Sequence, residues 1–133
     1  IMSYSISEAA EKSGISAKMI RYYEKTGLVP PAQRADSGYR KYSDKAIHRL
    51  QFVRRARDLG FSVKDIEELL ALWSDQNRAS ADVKKLAEGH VHALREKMDE
   101  IQKMVDTLQH LIECCHGDDR PDCPIIENLG HPE

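Results

Sequence analysis

The sequence predicts a mostly α-helical chain: a small N-terminal helical unit with a hairpin, then one long helix, then a short cysteine-bearing tail. Three observations carry this. Helix-capping serines recur at Ser5, Ser16, Ser43 and Ser62, each opening a run with helical periodicity. From Ser80 to Cys115 no proline intervenes, and apolar residues alternate steps of four and three. The charge is also split. Residues 1–60 carry 12 Lys+Arg against 6 Asp+Glu, and residues 61–133 carry 8 against 16, within a formal net charge of -2. The basic half suits a polyanion and the acidic half does not. At 133 residues the chain holds one domain plus an extension, or two small units.

Ser5-Ile-Ser-Glu8 fits a capping box and opens a short first helix, in which Ala9 and Ala10 allow close helix contact. Gly14 marks a turn, and Ser16 caps a second helix running to about Lys25. Ile15, Met19 and Ile20 are expected to face inward; Lys18, Arg21 and one of Tyr22 or Tyr23 face out. Two short helices joined by a glycine turn form a helix-turn-helix pattern. Leu28-Val-Pro-Pro31 ends the second helix. Gln33 to Tyr42, with turn chemistry at Asp36-Ser-Gly38, reads as a short hairpin, or wing. Arg and Tyr at its tip suit phosphate: Arg makes charge-assisted bonds, and Tyr offers a hydroxyl on a rigid ring.

Ser43 caps a third helix, Asp44 to Leu59, with Gly60 as its stop. Ile47, Leu50, Val53 and Leu59 supply much of its apolar face, and Arg49, Arg54, Arg55 and Arg57 make much of the rest basic. Ser62-Val-Lys-Asp65 is a second capping box. It opens a fourth helix with Ile66, Leu69, Leu70 and Trp73 inward, and Asp75 to Ala79 breaks the pattern. The candidates for contact with double-stranded DNA are Lys18, Arg21, Tyr22 and Tyr23 on the second helix, Arg34, Gly38, Tyr39 and Arg40 on the wing, and Arg54 on the third helix.

The long helix, Ser80 to Cys115, would extend roughly 54 Å. Its seam includes Val91, Leu94, Met98, Ile101, Val105, Leu108 and Ile112. One such helix cannot bury this seam in a chain of this size, so a partner helix from a second copy, making a homodimer, is the simplest answer. The expected organisation is therefore residues 1–75 as a winged helix-turn-helix domain, 80–115 as a dimerisation helix, and 115–133 as a metal-binding loop with a short terminal helix.

The loop reading rests on Cys115 and Cys123. Gly117 ends the long helix, and Pro124 fits the first position of a helix over 124–129, which makes Cys123 its N-cap. A sulfur there is biased toward thiolate. Two sulfurs are too few for a tetrahedral zinc site, but they suffice for a soft monovalent ion such as Cu(I). Cys114 lies one residue off the seam and reads as a spare thiol. His116 reads as an exposed loop histidine, and Asp118, Asp119 and Asp122 as solvated acids.

The chain resembles the MerR family of transcription regulators, most of all its copper-sensing CueR type. Ile6-Ser-Glu-Ala-Ala10, Met19-Ile-Arg-Tyr-Tyr-Glu24, Gly27-Leu-Val-Pro30, Ser37-Gly-Tyr-Arg40 and Arg54-Arg-Ala-Arg-Asp-Leu-Gly-Phe61 carry the family likeness. Ser80-Ala-Asp-Val-Lys84 and the stretch from Cys115 to Ile126 carry the copper likeness. The resemblance implies a winged helix-turn-helix and an antiparallel dimer helix. It also implies a two-cysteine site for Cu(I), with Ag(I) or Au(I) as substitutes. Relatives that sense divalent ions have a cysteine where this chain has Ser80, so Ser80 is the implied selectivity residue. The implied mechanism is metal-dependent distortion of promoter DNA that realigns its elements for RNA polymerase.

A different class of reading is a thiol redox sensor or a metal buffer built on the Cys115/Cys123 pair; the basic wing and second helix weigh against a pure buffer. No paired carboxylates, phosphate loop or nucleophile–base pattern points to an enzyme. No apolar run spans a bilayer and no signal peptide is evident, so a cytoplasmic protein is the default. Ile1, ahead of Met2, reads as an addition to the natural start.

Overall fold

The Ser5 hydroxyl accepts from the Glu8 amide at 3.2 Å while the Glu8 carboxylate accepts from the Ser5 amide at 3.0 Å. This reciprocal pair starts α1, Ile6–Ser13. The computed structural model describes residues 3–131, so the reading of Ile1 lies outside the described residues. The chain divides into two compact units, residues 1–84 and 85–133.

In the first unit the helix-turn-helix follows directly. Gly14 adopts a left-handed conformation and its amide bonds back to Ala10, closing α1. Ser16 then caps α2, Ala17–Thr26, by accepting from Met19 N–H. At the end of α2, Gly27 is again left-handed; its amide bonds to Glu24 O and that of Leu28 to Tyr23 O, which brings Leu28 into the core. The wing consists of β2, Gln33–Arg34, and β3, Arg40–Ser43, paired antiparallel with Arg34 opposite Arg40. A further strand absent from the sequence reading, β1 at Ser3–Tyr4, pairs with the other edge of β3, giving the order β1-β3-β2.

Ser43 ends β3 and caps α3, Asp44–Asp58. Ser62 caps α4, Val63–Ser74, through the Asp65 amide. The core gathers Ala9, Ile20, Tyr23, Tyr42, Leu50, Val53, Ile66 and Leu70 among others, with Ile20, Val53 and Ile66 fully buried. Phe52 stacks on Trp73 at 4.5 Å, and His48 meets the same ring edge-on at 5.3 Å.

Two apolar assignments are corrected. Met19 is exposed, because the inward face of α2 runs through Ile20 and Tyr23, and Met19 sits about 100° from Ile20. Leu59 is 66% exposed. It occupies the cap position of α3, and the left-handed Gly60 turns the chain so that Phe61, whose amide bonds to Ala56 O, enters the core instead.

The long helix α5 spans Ser80–Cys114, 35 residues, and none of its side chains is buried. Ser80 is its first helical residue. A short helix α6, Pro124–Gly130, ends the described chain, with Pro124 in its first turn and Cys123 as N-cap. No helix among the described residues is long and apolar enough to cross a membrane.

Candidate nucleic-acid interface and metal centre

The first unit brings α2 and the wing together around a cleft of about 410 Å³ lined by Arg21, Lys25, Arg34 and Arg40, with Glu24, Pro31 and Ala32. Four cations face one carboxylate there, an arrangement suited to phosphate. Lys18, Arg21 and Tyr22 stand exposed on α2. At the wing tip, the Arg34 guanidinium donates to Gly38 O at 3.0 Å, and Gly38 takes φ 87°, a value that favours glycine. Tyr39, 77% exposed, projects from the tip.

Three expected DNA-contact residues are placed differently from the rest. Tyr23 is a correction: it is buried in the core at 5% exposure, since α2 offers only one of two consecutive tyrosines to solvent, and that one is Tyr22. Arg40 forms a 3.0 Å ion pair with the nearly buried Glu24, whose other oxygen accepts from the Tyr42 hydroxyl at 2.5 Å. Burial, reinforced by the Glu24 bond, pushes the Tyr42 phenol up to about 12. This triad ties the wing to α2, and Arg40 keeps part of its guanidinium toward the cleft. Arg54 donates to Gly14 O and pairs with Asp58 at 3.0 Å, fastening α3 to the helix-turn-helix corner. Gly14 takes φ 76°, which favours glycine, and a Cβ there would lie 3.2 Å from the Arg54 guanidinium, which would have to give by a few tenths of an ångström. Lys25 was missed; its spacing of four from Arg21 was the available signal.

In the second unit the half-buried residues beyond Val91 are Leu111, Cys115, Cys123, Pro124 and Ile125. The Ile126 backbone amide lowers the Cys123 thiol below its usual value; burial opposes this, and the Ile125 amide and the Cys115 thiol assist. Asp118 is held by Arg120 through bonds of 2.8 Å and 3.0 Å, and the Arg120 side chain holds its carboxyl below the usual range. Cys114 and His116 are exposed. Among the described residues no three His, Cys, Asp or Glu side chains cluster as ligands. Two sulfurs, Cys115 and Cys123, are the candidate donors, a set that would fit a soft ion of low coordination number.

The family model for the MerR HTH regulatory proteins matches residues 4–73, and one described as MerR, DNA binding, matches residues 47–111. The chain belongs to the MerR family. As a member it is a transcription regulator and not an enzyme. It is 60% identical to heavy metal-dependent transcription regulator 2 of Rhizobium meliloti (strain 1021), over 95% of this chain and 86% of that protein. It is 45% identical to the HTH-type transcriptional regulator CueR of Salmonella typhimurium (strain LT2), over 93% and 90%. Its fold is similar to that of the regulator PbrR691 from Ralstonia metallidurans CH34, solved with lead(II): TM-score 0.80, 28% identity, 95% and 98% of the two chains. It is also similar to HiNmlR, a MerR family regulator bound to promoter DNA: TM-score 0.56, 29% identity, 84% and 85%. These likenesses agree with the mostly helical winged helix-turn-helix and long helix expected from sequence.

Proposed function

We propose that this MerR-family chain is a Cu(I)-responsive transcription activator, also answering Ag(I) and Au(I). In this reading it binds promoter DNA as a homodimer in the cytoplasm. The observation that carries the ion choice is the two-sulfur pair Cys115 and Cys123, the latter at the start of α6, with no third ligand gathered beside it among the described residues. A single monovalent ion is satisfied by two thiolates, whereas Zn(II) wants four ligands. Ser80 supports the same choice, since it offers no thiolate. The heavy-metal-dependent and CueR relatives support metal response in general and copper in particular.

DNA is engaged by Lys18, Arg21 and Tyr22 on α2, by Arg34, Gly38, Tyr39 and Arg40 on the wing, and by Arg54 through the corner it fastens. The seam Val91, Leu94, Met98, Ile101, Val105, Leu108 and Ile112 joins two copies as an antiparallel pair. Bound Cu(I) would cross-link Cys115 to Cys123 and fix the loop between them. Bending a promoter site costs on the order of 1–6 kcal/mol, so a modest bias from the loop, passed through the dimer, decides whether the DNA is distorted into a form RNA polymerase reads.

Titration with Cu(I) under reductant tests this. Cys115→Ser and Cys123→Ser should each abolish copper-dependent transcription, and Ser80→Cys should tighten Zn(II) binding by adding a sulfur from the partner. Copper-dependent transcription that survives Cys115→Ser would overturn the site. Unchanged zinc affinity in Ser80→Cys would reduce residue 80 to a plain helix start.

A further inference from the structure

One sulfur is not used by the two-cysteine pair. Cys114, the last residue of α5, places its Sγ 3.8 Å from Nε2 of His110, one helical turn earlier. Both side chains are exposed. We propose that Cys114 and His110 form a second metal site on the outer face of α5, one that accepts Cu(I) as a complex with a small thiol.

Three considerations lead there. The first is bite. Metal bonds of about 2.3 Å to sulfur and about 2.1 Å to imidazole nitrogen, at an angle near 120°, set the two donors about 3.8 Å apart. The pair is already spaced for a trigonal ion and needs no rearrangement of the helix. The second is donor type. A thiolate with an imidazole suits Cu(I), and neither is a hard oxygen donor. Two protein ligands leave one position of a trigonal ion open for the thiol that carries it. Cys114 binds as thiolate, its proton goes to solvent, and copper stays Cu(I) throughout.

The third is position. At about 100° per residue, His110 and Cys114 lie about 40° apart on α5, and their midpoint is about 160° from the Leu108–Ile112 part of the apolar seam. Dimerisation through that seam leaves the pair open to solvent. Cys115 is the next residue along the chain, so an ion released from the outer pair has a thiol of the inner pair as its nearest new partner in sequence. The inference rests on the copper reading for its choice of ion, but the outer site is defined by its own two residues.

The test uses the full chain carrying Cys115→Ser and Cys123→Ser, titrated with Cu(I) and glutathione against a chromogenic Cu(I) chelator. This variant should still bind one Cu(I) per subunit. Adding His110→Ala should weaken that binding by roughly tenfold or more, and adding Cys114→Ser should remove it. Helix content and dimer mass of each variant confirm folding. Equal copper retention with and without His110 would overturn the paired site, as would copper bound only in assemblies larger than the dimer, where Cys114 bridges molecules. Failure of the inner pair shows separately: the wild-type chain would then bind no more Cu(I) than the Cys115→Ser, Cys123→Ser form, whereas a working inner pair adds a second equivalent.

Discussion

Residues 1–84 and 85–133 solve the problem of apolar surface in opposite ways. The first unit closes its own core: Ile20, Leu50, Val53 and Ile66 are each at 2% exposure or less. The second has no buried residue among those described, while Met98, Ile101 and Val105 stand 67%, 58% and 50% exposed along one stripe of α5. The two halves differ little in apolar content; what differs is whether the chain can fold back. Seven short elements separated by glycine turns and capping serines can surround a centre. A 35-residue helix cannot surround itself, so its stripe needs a second helix. One unit is thus complete in a single chain, and the other leaves an apolar stripe for a partner helix to cover.

The comparison predicts where damage should fall. Leu50→Ala, in the closed core, should cost about 2–5 kcal/mol in chemical denaturation and lower the midpoint for the whole first unit. Ile101→Lys should leave that unit folded but place unpaired charge in the stripe, giving monomer or aggregate in sedimentation. A dimer of unchanged mass would show that the stripe packs otherwise. Arg21→Ala, at the surface of the closed unit, should not alter stability or copper binding. It should weaken promoter binding and reduce the salt slope by about 1.

Tyr42→Phe should have the smallest effect, a loss of about 1 kcal/mol from its bond to Glu24. It also has a pH signature. The folded phenol is raised to about 12 from 10.0, so its contribution is whole below pH 10 and is lost as pH rises toward 12. Denaturation midpoints between pH 10 and 12 should therefore fall more steeply for the wild-type chain than for Tyr42→Phe.

Much of this was legible because the signals were local. Ser5, Ser16, Ser43 and Ser62 each cap the helix that follows, and the heptad seam gives α5 to within one residue. What was not legible depends on partners distant in sequence or on a turn's detailed geometry. β1 is two residues long, too short to show alternation, and exists because β3 offers it an edge. The Glu24–Arg40–Tyr42 triad joins residues 16 and 18 positions apart. Leu59 and Phe61 exchange roles through one left-handed glycine, and Tyr22 and Tyr23 could be told apart only once the inward face of α2 was fixed. In the second unit, Cys123 as the N-cap of α6 was readable from Pro124, whereas the His110–Cys114 spacing called for coordinates.

The claim that joins the two halves is that α5 is completed by a second copy of the chain. Sedimentation equilibrium of the wild-type protein, without metal or DNA and across a range of loading concentrations, tests it most directly. The account predicts a single species of twice the 15.2 kDa chain mass. A species at 15.2 kDa that persists at every concentration, with α5 still helical, would contradict it.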